Sequence, residues 1–143
     1  NESSSKRLEL WNNAIDYISN HPLIGCGLGN WKVESSFYMR NTGADYLVPY
    51  HAHNDFLEMT TELGLVGGFF YFLIFLITGI ILSKLFIFSN FKLEVLVIGC
   101  AFIVYIVDAF FNFPIERPIM QIPFAFIIAY ALANQRKLYT HEK

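Results

Sequence analysis

Three stretches of this chain stay apolar over lengths that few elements of a soluble domain need. Residues 63 to 83 carry no charge, residues 95 to 113 carry only Asp108, and residues 118 to 134 carry none. The first two meet the roughly 20 residues that a helix needs to cross the hydrocarbon of a bilayer, and the third lies at the lower limit. The pattern predicts three transmembrane helices, at about 63–86, 94–112 and 118–135. Ahead of them the period changes. From Ser5 to Asn20 the apolar Leu8, Trp11, Ile15 and Ile18 recur at spacings of three and four, which marks an amphipathic helix. The serines before it supply N-cap candidates, and Asn20-His21-Pro22 supplies a stop. Residues 31 to 50 are broken by Gly43 and Pro49, leaving a short helix over Val33 to Arg40. At Asp55 the helix signal returns, with Glu58 three residues on as in an N-cap pair and Glu62 at helical spacing. These three acids read as cap and solvated face. The fold class expected is all-α, a polytopic membrane protein with a mostly helical outer loop, residues 1–62, followed by membrane helices and a tail, residues 63–143.

Composition supports that class, with 55% hydrophobic residues, 15% charged and fifteen phenylalanines and a mean hydropathy of +0.41, too oily for an ordinary soluble domain. Net charge says little, but its distribution gives an orientation. Lys84 and Lys92 follow the first stretch, and Arg136, Lys137 and Lys143 follow the third, whereas residues 1–62 are acidic. By the positive-inside rule the basic ends are cytoplasmic, which places residues 1–62 and the turn NFPIERP outside. Cys26 and Cys100 fall at different depths, so no disulfide is expected between them. The chain opens on Asn and a polar loop rather than on Met or a signal peptide, and reads as a fragment whose outer loop follows an earlier span.

Candidate chemistry lies in the outer loop. In LIGCGLGNW the alternation Gly25, Gly27, Gly29 is G-x-G-x-G with no strand before it, so a tight turn at a close backbone approach is preferred over a dinucleotide loop. His53 and Asn54 sit at a helix start, where exposed amide groups and the positive end of the dipole disfavour an extra proton on the imidazole. A neutral imidazole can act as a general base. The other reading of His53 is an interfacial or capping residue. Eleven steps separate it from Gly64, about 16 Å if all were helical, which puts it near headgroup level. His51 and His53 share a face if extended, but with Glu58 and Glu62 they match no standard zinc spacing, so no metal and no cofactor are expected. Arg7 is either a solvated face residue or a phosphate ligand, for which arginine's planar fork is suited; Lys32, Arg40 and Arg117 are further cations on the outer side. Asp108 is costly in a span and is read as facing the bundle or a watery cavity, or as a partner for a helix end or Arg117.

Three motifs in order carry a resemblance: R-L-E-L-W at 7 to 11, HPLIGCGLGNW at 21 to 31, and His53-Asn54 followed by nine residues and G-L-V-G. In order and spacing they resemble the O-antigen ligase and polymerase superfamily. The resemblance implies a bacterial inner-membrane glycosyltransferase in which residues 1–62 form a periplasmic catalytic loop and this chain is the carboxy-terminal part, inactive alone. It implies transfer of a glycan from an undecaprenyl diphosphate carrier to an acceptor hydroxyl on a glycan, lipid or protein, in surface polysaccharide ligation or polymerisation. His53 resembles the histidine that activates the acceptor and Arg7 the loop arginine that holds the diphosphate. Asn54, Arg40, Arg117 and Trp11 are the candidates for substrate binding. Membrane lipid is an expected partner and nucleic acid is not. The alternative is a non-enzymatic membrane transport or assembly subunit, with Asp108 on the path. Against it, the inner half of the apolar stretches holds no charge apart from Asp108.

Overall fold

In the computed structural model the described backbone comprises residues 2–40, 51–90 and 92–140, with side chains described for 6–37, 51–90 and 92–135. Among these residues the regular structure is all helical, with no strand. The helices are α1 (Glu2–Asn20), α2 (Trp31–Arg40), α3 (Asp55–Phe88), α4 (Lys92–Phe111) and α5 (Pro118–Thr140), with a single 3-10 turn at Pro114–Glu116. The chain forms two compact units, Asn1–Phe72 with Ala109–Phe113, and Leu73–Asp108 with Pro114–Lys143.

In the first unit, α1 ends where Ser19 Oγ and Asn20 Nδ2 both donate to the Asp16 carbonyl and Pro22 prevents continuation. Its inner face buries Leu10, Ala14 and Tyr17. Ala14 and Tyr17 join Trp31 and Ala52 in a dry cluster, against which Cys26 and Leu57 pack. Trp31 is fully buried, with the Tyr17 ring edge-on at 6.1 Å. Burying an indole and a phenol ring in this way contributes apolar stabilisation to the unit.

α3 runs for 34 residues but is interrupted at Gly64, which has φ 71° and ψ −179°. Only glycine adopts that combination at low cost. The glycine turn docks at the break: the Cys26 amide donates to the Thr61 carbonyl at 3.0 Å, Gly27 to Glu62 at 2.8 Å, and Leu65 to Pro22 at 2.7 Å. A helix interruption frees carbonyls and amides that must find partners. Here the turn supplies them. A Cβ on Gly64 would strike the Leu23 carbonyl, and one on Gly25 would strike the Thr61 and Glu62 carbonyls. The close backbone approach read from the alternating glycines is therefore an approach to α3.

In the second unit aromatic rings form the interior. Tyr105 stacks on Phe124 at 4.2 Å, and Phe75 lies 4.9 Å from Phe124 and 6.2 Å from Phe102. The backbone at Gly79 faces Phe102, with room for a Cβ in ordinary contact with that ring. α5 starts with the Arg117 carbonyl accepting from Met120 and Gln121, and Pro118 fills the first position, where a missing N–H costs nothing.

Among the described residues two helices, α3 and α4, are long and apolar enough to cross a membrane. The 20 residues of α4 rise about 30 Å, one hydrocarbon thickness. Residues 65–88 of α3 rise about 36 Å. The third span expected at 118–135 is a helix, but Gln121, Pro123 and Asn134 dilute its apolar run and it does not join the other two.

Candidate functional site

The site is built around the four residues His51-Ala52-His53-Asn54 that lead into α3. Asn54 is the N-cap of that helix: its Oδ1 accepts from the Leu57 amide at 3.0 Å and its carbonyl from Glu58 at 2.9 Å. The cap is thus one residue earlier than the Asp55 expected from sequence. Asp55 is instead fully buried and accepts from the Tyr71 hydroxyl at 3.4 Å. Glu58 and Glu62 are also buried, so the solvated-face reading of all three acids is overturned. Their spacing places them on one face of the helix, and that face turns inward.

Each inward acid positions backbone from another part of the chain. Glu58 reaches back over the loop, with Oε2 accepting from the Ala52 amide at 2.8 Å and Oε1 lying 2.9 Å from His51 Nδ1. Glu62 Oε1 accepts from the Trp31 amide at 3.2 Å, serving the first turn of α2. Burial pushes the Glu58 carboxyl above the usual carboxylate range, opposed by the bonds from His51 and Ala52. Glu58 stands ahead of the Gly64 break and outside the apolar run. When ionised it can accept a hydrogen bond from His51 Nδ1. Burial, followed by the charge of Glu62, pushes the Cys26 thiol up to about 11, so it stays protonated and is no nucleophile near neutral pH.

The loop is clamped from two further sides. Trp11 Nε1 on α1 donates to the Ala52 carbonyl at 2.9 Å. Phe113 lies flat against the His51 ring at 4.2 Å and meets the His53 ring edge-on at 5.3 Å. Thus both amide and carbonyl of buried Ala52 are held, and a single aromatic side chain contacts both histidines. His53 is the non-glycine residue with positive φ, 52°, among the described residues. A histidine tolerates that region only with support from its surroundings.

Of the residues expected from sequence, His53 and Asn54 lie in this loop, half-buried. Trp11 touches it through its indole N–H. Arg7 is half-buried on α1, one turn before Trp11, and so lies on the same helix face about 6 Å along the axis. Arg40 ends α2 and its side chain lies outside the described residues. Arg117 belongs to the second unit, exposed at the start of α5. Sequence reasoning did not find the bracing pair His51–Glu58 or Phe113. The seven-residue interval between His51 and Glu58 was visible, but only the reversal of the chain at Asn54 makes it a contact.

No curated protein and no solved structure matches the chain. The O-antigen ligase family profile matches residues 1–72, which contain α1, the glycine turn, the histidine loop and the break in α3. That match covers half of the sequence and includes each motif whose geometry is given above. With two helices able to span a membrane beside it, the chain belongs to the O-antigen ligase family, bacterial membrane proteins of the glycan ligase and polymerase type.

Proposed function

We propose that this chain carries the acceptor-activating part of a membrane enzyme that transfers a glycan from an undecaprenyl diphosphate carrier to an acceptor hydroxyl, with residues 1–62 on the periplasmic side and α5 as a third span. His53 takes the proton of the attacking hydroxyl, and Arg7 neutralises the diphosphate as the glycosidic bond breaks. A bond forms from the acceptor oxygen to the sugar carbon, the carrier diphosphate leaves with its electron pair, and the proton ends on His53. Charge gathers on the leaving group in the transition state, where a guanidinium lowers the barrier most. Glu58, which accepts from the Ala52 amide, and His51, which lies between Glu58 and Phe113, are positioning residues that set the direction from which His53 enters the site.

The observation that carries the reading is the Trp11–Ala52 bond. It ties α1, which carries Arg7 one turn earlier, to the residue next to His53, and so supports a site that draws on both residues. The loop also stands one helical stretch above the apolar run, about 14 Å from Asp55 to Gly64, the height at which a lipid-linked diphosphate lies. Transfer from a purified lipid diphosphate glycan in membrane vesicles tests it. His53→Ala is expected to abolish product while insertion is unchanged, and wild-type product from that variant removes His53 from the role. Arg7→Ala is expected to lose activity that Arg7→Lys restores only in part, because lysine lacks the planar fork.

A further inference from the structure

The glycine turn carries three large apolar side chains that nothing in its own unit covers. Leu23, Ile24 and Leu28 are 69%, 81% and 70% exposed, in a stretch from Pro22 to Trp31 that holds no charge. Scattered exposed leucines need no explanation, but a cluster of this kind on one short turn marks a contact surface. The turn's height is fixed. The Leu65 amide donates to the Pro22 carbonyl, and the Leu23 carbonyl lies against Gly64. Leu23 and Ile24 therefore stand level with the start of the apolar run of α3, whose Leu65, Val66, Phe69 and Phe70 are exposed in the same way.

Part of the turn's polar backbone is already paired. Pro22 has no N–H, the Cys26 and Gly27 amides donate to Thr61 and Glu62, and the Asn30 amide and side chain donate to the Gly27 and Cys26 carbonyls. Backbone groups that are already satisfied lose little on entering a medium without water, whereas unsatisfied ones cost several kcal/mol each. We propose that this turn is seated in the interfacial layer of the bilayer, with Leu23, Ile24 and Leu28 among the lipid acyl chains. It is the foot on which the outer unit stands, and it sets the height of the histidine loop through the unbroken first segment of α3.

The test uses the full-length chain with Cys26→Ala and Cys100→Ala, carrying a single bimane-labelled cysteine at Ile24→Cys or Leu28→Cys. It is reconstituted in nanodiscs of phosphatidylethanolamine and phosphatidylglycerol, with or without acyl-chain nitroxide lipid. Both positions are expected to emit blue-shifted light, to be quenched by the nitroxide lipid and to resist aqueous iodide. A label at Lys32→Cys is expected to show the reverse. Iodide quenching at positions 24 and 28 equal to that at 32 overturns the proposal. Shielding from both quenchers also overturns it, because it assigns the turn to a protein partner. Two labelled positions keep the result readable if one variant does not fold.

Discussion

Ahead of Gly64, α3 buries three acids and a hydroxyl, Asp55, Glu58, Glu62 and Thr61, with Met59 as the apolar residue among them. Beyond it, the exposed positions are Leu65, Val66, Phe69 and Phe70, while the buried ones begin with the aromatic Tyr71 and Phe75. The first segment is mostly polar within and partnered by loops; the second exposes apolar side chains over most of its length, as a helix surrounded by lipid does. Buried acids are tolerated in the first segment because each meets a donor: Tyr71 for Asp55, His51 and Ala52 for Glu58, Trp31 for Glu62. In the function proposed above, the short inward-polar segment organises the site and the long apolar segment anchors it.

The contrast depends most on the break that separates the segments. Gly64→Ala puts a Cβ against the Leu23 carbonyl at a backbone conformation closed to alanine, and is expected to destabilise the outer unit by at least about 3 kcal/mol. Thermal unfolding in detergent, or a loss of monodisperse protein, reads it. A variant as stable as wild type would mean that α3 can run straight and the turn need not dock.

Next in size is Glu58. Glu58→Ala leaves the buried Ala52 amide without its acceptor and is expected to cost about 2–3 kcal/mol. The acid also predicts a pH dependence. Burial raises its folded pKa above the unfolded value, so the folded state holds the proton more tightly. This contribution to stability is fully present below the ordinary carboxylate pKa and is lost as pH rises through the raised value. Melting midpoints measured from acid to neutral pH should show that decline in wild type, and Glu58→Gln should flatten it.

How far the sequence reaches is clearest along this same helix. Hydropathy located the apolar run, because a helix in lipid must be apolar wherever it is exposed, and that rule needs no knowledge of neighbours. The inward acids were misread as a solvated face for the opposite reason. Spacing puts Asp55, Glu58 and Glu62 on one side of a helix, but only partners from Trp31, His51 and Tyr71 decide whether that side meets water or protein. The glycine alternation gave the close approach without its object, since Gly64 is remote in sequence from Gly25. His53 and Arg7 were legible as motif positions. The clamp from Phe113 was not, since it comes from the turn after α4.

Smaller effects refine the bracing of the loop. His51→Asn keeps a side-chain N–H near the Nδ1 position and is expected to retain more transfer activity than His51→Ala, in the vesicle assay described above. Equal loss in both would give His51 a role beyond bracing. Trp11→Phe keeps the ring but removes the donor to the Ala52 carbonyl, for an expected loss of about 1 kcal/mol in stability. No change in melting would separate α1 from the loop and weaken the link between Arg7 and His53.

That link is the central claim, and one measurement reaches it directly: a cryo-electron microscopy structure of the full-length chain with undecaprenyl diphosphate bound. The account predicts the diphosphate against the Arg7 guanidinium, with the His53 ring facing the space where the acceptor hydroxyl must arrive. A diphosphate seated away from both residues would contradict it.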